Sequence, residues 1–335
     1  MQCIVQESFS VKRVLKRVLL SFNWGVLVLF LAGSGVGVSA AQSFSFVALG
    51  DMPYGGQGKS YLSYRGLIQS INRAQPEFSI HVGDFKSGST RCSDEEYAEQ
   101  LKHFSLFEKG VIYTPGDNDW TDCYRLSNGN YDPIERLSTL REMFFFNETS
   151  LGQKPLRLVS QAQLQQNNSE YVENKRWVHD DVLFVTLHIV GSNNNFEARS
   201  PEATSEFFER DAANIAWIRA AFDLAQQKNY KAIVFAFQAN VFISRSMWED
   251  YPAWSGFRNS IGHTLLPLAQ DWAKPVLLIN GDGHQYRFDQ PYKLKDQVLS
   301  NVTRLEVPGA SDVRAVNVTV DLTREKVFSV ELLKP

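Results

Sequence analysis

Acidic and amide side chains collect in this chain where apolar runs end. Residues 44–50 (FSFVALG) stop at Asp51, residues 78–83 (FSIHVG) at Asp84, and residues 110–116 (GVIYTPG) just before Asn118 and Asp119. Farther on, residues 231–237 (KAIVFAF) stop at Gln238, and residues 275–280 (PVLLIN) lead into Asp282 and His284. A single Gly-Asp pair is an ordinary turn; several in order, each behind an apolar run, form a constellation. Asp51, Asp84, Asp119 and Asp282 gathered near one point would repel one another strongly unless a cation sat among them. With His284 as the one imidazole of the set, the donors suit hard divalent ions, so Mn, Mg or Ca are favoured over Zn or Fe.

These residues need a scaffold that brings strand ends together. The apolar runs are short and β-branched, and helical patterns separate the first three, at residues 62–74 and 94–109. Another, at 206–227, carries Phe207, Ile215, Ile218 and Phe222 and precedes the 231–237 run. Strand and helix in alternation predict a parallel sheet with helices on its faces, and such sheets bind ligands beyond the carboxyl ends of their strands. From about residue 303 the pattern becomes alternating, which predicts antiparallel strands closing the fold. The polar stretch 161–174 is expected to be a surface insertion.

The first forty residues read differently. Lys12, Arg13, Lys16 and Arg17 precede an apolar stretch and then small residues ending Val38-Ser39-Ala40. That order is expected of a signal peptide, residues 1–40, cleaved after Ala40; an uncleaved membrane anchor is the alternative reading. What remains, residues 42–335, suffices for a single α/β domain with a sizeable core. Without the leader the formal net charge falls from −3 to −6, so a basic nucleic-acid surface is not expected. The expected location is secreted or periplasmic, with the membrane involved only through the export signal. Cys92 and Cys123 then stand in an oxidising compartment, where a disulfide is the natural pairing and a thiolate metal pair the weaker option.

The order of these motifs resembles the calcineurin-like metallophosphoesterase superfamily, whose pattern runs D-x-H, GD, GN-H-D/E, a lone His, then G-H-x-H. The resemblance extends from GDMPY through HVGDFKSG and TPGDNDW to NGDGHQYRFD. It implies a four-layer αββα sandwich of mixed sheets, one or two divalent metal ions, and hydrolysis of phosphate mono- or diesters by a metal-activated hydroxide. Carried over by residue, Asp51, Asp84 and His284 would hold one ion, with Asp84, Asn118, Gln238 and Asp282 around the second. Asp119 would stand where the catalytic His belongs and, with Asn118, serve catalysis. The chain departs from the pattern at Pro53, Asp119, Gln238 and Asp282, each standing where a histidine is expected.

Near these turns, Lys86, Tyr54, Asn193 and Asn194 are candidates for contacting a small phosphorylated substrate. Arg125 has the planar fork for phosphate but reads more simply as a surface residue. His81 and His188 lie inside apolar runs and read as structural. The competing function is a non-catalytic binding protein on the same fold with at most one structural metal. Asp119 and Asp282 discriminate: both aimed at the metal centre favour an altered, working site, whereas either turned away favours the binding protein.

Overall fold

Buried β-branched and aromatic residues build two sheets whose carboxyl-end turns converge. The computed structural model describes residues 43–55, 58–197, 200–242 and 255–335; the expected leader lies outside them. The strands are β1 (Phe44–Leu49), β2 (Phe78–His81), β3 (Gly110–Tyr113), β4 (Val159–Ser160), β5 (Lys175–His179), β6 (Val182–Thr186) and β7 (Ala232–Ala236). They continue with β8 (Val276–Asn280), β9 (Arg287–Asp289), β10 (Lys293–Leu294), β11 (Gln297–Val298), β12 (Val302–Glu306), β13 (Ala315–Val320) and β14 (Phe328–Leu333). One sheet has the order β14-β13-β1-β2-β3 and the other β4-β5-β6-β7-β8-β12-β9, with β10 and β11 forming a small ribbon. Both large sheets are mixed: β1, β2 and β3 run parallel, as do β6, β7, β8 and β12, while the flanking strands are antiparallel.

The principal helices are α1 (Lys59–Ala74), α2 (Asp94–Phe104), α3 (Pro133–Phe144), α6 (Pro201–Lys228) and α7 (Leu266–Trp272); the short turns α4 (Gln161–Leu164) and α5 (Gly191–Asn194) lie between α3 and α6. Phe46, Phe78 and Ile112 face Phe184, Val234 and Leu277 between the sheets, forming the central core. Outside it, α1, α2 and α3 pack Leu67, Phe104 and Phe144 on one sheet, and α6 and α7 pack Trp217, Phe222 and Leu266 on the other. This is the αββα sandwich.

One expectation needs correction and a second is sharpened. The strand at Val302–Glu306 lies next to the edge of the second sheet, parallel to β8 on one side and antiparallel to β9 on the other, so of the three tail strands β13 and β14 alone are antiparallel to every neighbour. The 161–174 stretch runs at the surface through residues 163–170, as expected, and is anchored at both ends: Gln161 and Asn174 are fully buried, with Asn174 Nδ2 donating to Gln161 Oε1 at 2.8 Å and to Asn214 Oδ1 at 2.9 Å.

Cys92 and Cys123 form the disulfide, with Cα atoms 5.8 Å apart. It ties the loop after β2 to the turn after β3, both on the edge that carries the acids.

Candidate metal centre

Three acid turns of the centre bend sharply. Asp51, Asp84, Asp282 and His284 all have positive φ (52°, 54°, 66° and 56°), a conformation that costs a non-glycine residue energy and gathers at functional sites. The turns are held by backbone bonds: Asp51 N–H donates to Gly83 O at 3.0 Å, Ala310 N–H to Asp51 O at 2.7 Å, and Asp282 N–H to Asp51 Oδ1 at 3.0 Å. Glycine precedes the acids because the carboxylates pass over the preceding backbone. A side chain at Gly281 would run into the Asp51 carboxylate, and one at Gly116 into that of Asp84.

Asp51, Asp84 and His284 each offer one ligand atom, and these atoms all lie within 4.8 Å of one another. Ligands sharing one ion at about 2.0–2.4 Å stand no more than roughly 4.8 Å apart, so the three fit a common cation. His284 Nε2 is 3.5 Å from Asp51 Oδ1, and its ring meets Tyr54 edge-on. At 37% side-chain exposure, His284 gives the centre its opening to solvent.

The electrostatics point the same way. Burial first, then neighbouring carboxylate charge, raises Asp84 and Asp282 well above the usual carboxylate range, with Asp117 the largest charge contributor to each. Burial also raises Asp51, against the His284 hydrogen bond. Asp122 is pushed up to about 8 by burial and Asp117, although Arg125 opposes the shift from 2.6 Å. Such a group of buried acids is stabilised by bound positive charge.

Asp117 is the residue that sequence reasoning missed. Gln238 Nε2 donates to its Oδ1 at 2.9 Å, Ser192 Oγ stands 2.8 Å from its Oδ2, and Gly191 packs closely against both Asp117 and Asp282. The ungapped reading of GN-H-D/E on Gly116-Asp117-Asn118-Asp119 would have found it. The third motif is therefore shifted by one position: Asp117 takes the first place, Asn118 the histidine place and Asp119 the final acid.

Asp119 does not face the centre, correcting its expected catalytic role. Its carboxylate is fully buried and accepts hydrogen bonds from Asp84 N–H at 2.9 Å, Phe85 N–H at 3.0 Å, Gly116 N–H at 2.8 Å and Tyr113 Oη–H at 2.8 Å. It bolts the second acid turn to the third. Asp282 stays with the group, its Oδ2 accepting Asn240 N–H at 2.9 Å.

Two expected metal ligands present hydrogens instead of lone pairs. Gln238 Oε1 accepts Gly191 N–H at 2.6 Å, which turns its NH2 toward Asp117 and, at 3.2 Å, Asp84 Oδ2. Asn118 Nδ2 donates to the same Asp84 oxygen at 2.7 Å. An amide nitrogen has no lone pair to give a cation, so neither side chain is a ligand as placed.

Among the substrate candidates, Tyr54 is at the centre, its hydroxyl donating to Asp84 Oδ2 at 2.8 Å. The other three are used internally, which corrects their assignment. Lys86 is fully buried and donates to Thr90 O at 3.1 Å. Asn193 Oδ1 accepts Gly256 N–H at 2.9 Å, and Asn194 Oδ1 accepts from Arg210 Nη1 at 2.6 Å. Residues 192–195 all have positive φ, and these bonds hold that left-handed turn in place. Arg125 reaches the rim, close to Gly88 and 3.5 Å from Ser192 Oγ.

No family model matches the chain, and no curated protein matches it in sequence. Solved structures do match its fold. A dimetal phosphatase from Danio rerio is 11% identical, with 87% of this chain and 98% of that one covered at a TM-score of 0.52. GAP50, the anchor in the inner membrane complex of Plasmodium, is 13% identical over 87% of this chain and 89% of that one, at a TM-score of 0.45. The purple acid phosphatase PPD1 from yellow lupin seeds is 12% identical over 88% of this chain and 55% of that one, at 0.43. The match to the dimetal phosphatase bears out the expected metallophosphoesterase-like sandwich as a likeness of fold.

Proposed function

We propose that this chain is a metal-dependent phosphoric ester hydrolase acting on small phosphate mono- or diesters. The observation that carries the reading is the convergence of Asp51, Asp84 and His284 on a single point among further buried carboxylates. A divalent cation held there, Mn or Mg being the best match to the donors, supplies Lewis acidity toward a phosphoryl oxygen and an acidified water. The chain's own contribution is orientation. Asp282 N–H and Gly83 O fix Asp51, Tyr54 and Asn118 fix Asp84, and Arg125 at the rim offers a fork to a phosphate.

A second reading, a non-catalytic binding protein, is favoured by one observation. Asn118 stands where the family pattern has its histidine, and an amide cannot donate a proton as an acid. Rapid hydrolysis is therefore expected only where the leaving group needs no protonation. The test is turnover of 4-nitrophenyl phosphate and bis(4-nitrophenyl) phosphate with added Mn2+, on the protein and on Asp84→Ala. Turnover that is lost in the variant supports the hydrolase, and no turnover of either ester would leave the binding protein.

Export belongs to the same proposal. The Cys92–Cys123 disulfide and the basic-then-apolar leader support a secreted or periplasmic protein.

A further inference from the structure

Three buried carboxylates of the centre are already linked by neutral donors of the chain. Asp84 Oδ2 receives the Tyr54 hydroxyl (2.8 Å), the Asn118 amide (2.7 Å) and the Gln238 amide (3.2 Å). Asp117 Oδ1 receives the Gln238 amide at 2.9 Å, and Ser192 Oγ lies 2.8 Å from its Oδ2 and 3.0 Å from Asp122 Oδ1.

We infer that the Gln238 side-chain amide stands in place of a second metal ion, so that the centre binds one divalent cation, on Asp51, Asp84 and His284. The inference rests on the metal reading proposed above and adds the number of ions and what sets it.

The orientation of the amide is the core of the argument. Gln238 Oε1 is committed to Gly191 N–H at 2.6 Å, and the reverse orientation would set two hydrogen-bond donors against each other. The NH2 must then point between Asp84 and Asp117, where an ion shared by those two acids would sit. Its hydrogens carry partial positive charge, which attracts the carboxylates and repels a cation. The backbone enforces this: the Gly191 N–H opens the left-handed turn whose residues 192–195 are pinned by Asn193 and Asn194. Turning the amide over would require that whole turn to move.

At the first position the donor beside His284 is the Tyr54 hydroxyl, 2.8 Å from Asp84 Oδ2, whose hydrogen can rotate away and whose oxygen keeps lone pairs for a cation. Asp84 Oδ1 accepts the Asn118 N–H at 3.0 Å and has a second lone pair, and His284 approaches from the open side.

The experiment is the Mn2+ stoichiometry of metal-stripped full-length protein, read by equilibrium dialysis with elemental analysis and by electron paramagnetic resonance of the loaded sample. The expected result is one ion per chain with the spectrum of an isolated Mn2+. Gln238→Glu, which keeps an acceptor for Gly191 N–H and turns a carboxylate oxygen toward Asp84 and Asp117, is expected to take up two ions with an exchange-coupled spectrum. Two ions in the unsubstituted protein would overturn the inference while leaving the metal reading intact. One ion in a folded Gln238→Glu would overturn the role given to the amide, and no bound ion in the unsubstituted protein would overturn the metal reading itself. Should Gln238→Glu fail to fold, the count and spectrum of the unsubstituted protein still decide the number of ions.

Discussion

Replacing Asp119 separates its two possible roles, because a proton donor and a structural bolt fail in different ways. Asp119→Ala leaves the backbone N–H groups of Asp84, Phe85 and Gly116 and the Tyr113 hydroxyl without their acceptor. A buried donor left unsatisfied costs about 1–3 kcal/mol, and local relaxation recovers part of it. Four such groups around one fully buried side chain therefore imply a loss of about 5 kcal/mol. At about 2.1 cal/mol/K of unfolding entropy per residue, a domain of roughly 300 residues has about 0.6 kcal/mol/K, so the melting temperature should fall by about 8 °C. Asp119→Asn keeps one acceptor oxygen and should lose less than half as much. The assay is thermal unfolding followed by circular dichroism, with Mn2+ affinity measured on the same variants at a temperature where all are folded. An unchanged melting temperature in Asp119→Ala, with hydrolysis abolished, would refute the reasoning and restore Asp119 as the acid.

Two further outcomes follow from the same structure. Removing the Cys92–Cys123 bridge, whose half-cystines are 31 positions apart, should cost about 3.7 kcal/mol through the unfolded chain and lower the melting temperature by about 6 °C; identical melting with and without reductant would contradict this. His81 and His188 are fully buried and held neutral, each with its pKa lowered to about 4 mainly by burial. The unfolded chain takes up these protons near 6.5, so stability is fully present above that pH and falls as pH drops toward 4, by up to about 3 kcal/mol per histidine. The raised carboxylates of the metal-free centre act in the opposite sense, so the measurement is urea unfolding of Mn2+-loaded protein at pH 7 and pH 5, where an unchanged midpoint would count against buried neutral histidines.

The architecture was legible in the sequence wherever one physical signal was enough. Apolar runs ending in Gly-Asp marked the strands and their functional ends, and the helical patterns placed the outer layers. What stayed hidden depended on contacts between distant segments. The hydrophobic pattern of Val302–Glu306 suits either strand direction, and only pairing with β8 makes it parallel. Asp117, Asn118 and Asp119 are three adjacent polar residues that apolar periodicity does not tell apart; an ungapped motif reading points to Asp117, and the backbone donors of Asp84, Phe85 and Gly116 are what turn Asp119 away. Asn193 and Asn194 look like loop residues, but their partners, Gly256 N–H and Arg210, come from distant segments, while Lys86 turns back into its own loop to reach Thr90 O. Gln238 was rightly placed at a strand end, but its role turns on a single hydrogen bond from Gly191.

The central claim, that Asp51, Asp84 and His284 hold a divalent cation, is tested most directly by the melting temperature of metal-stripped protein as Mn2+ is added. A ligand at about 1,000 times its dissociation constant stabilises the folded state by about 4 kcal/mol, which for this domain is a rise of about 6–7 °C. The account predicts that rise in the unsubstituted protein and its loss in Asp51→Ala. No rise in the unsubstituted protein, or an equal rise in Asp51→Ala, would contradict it.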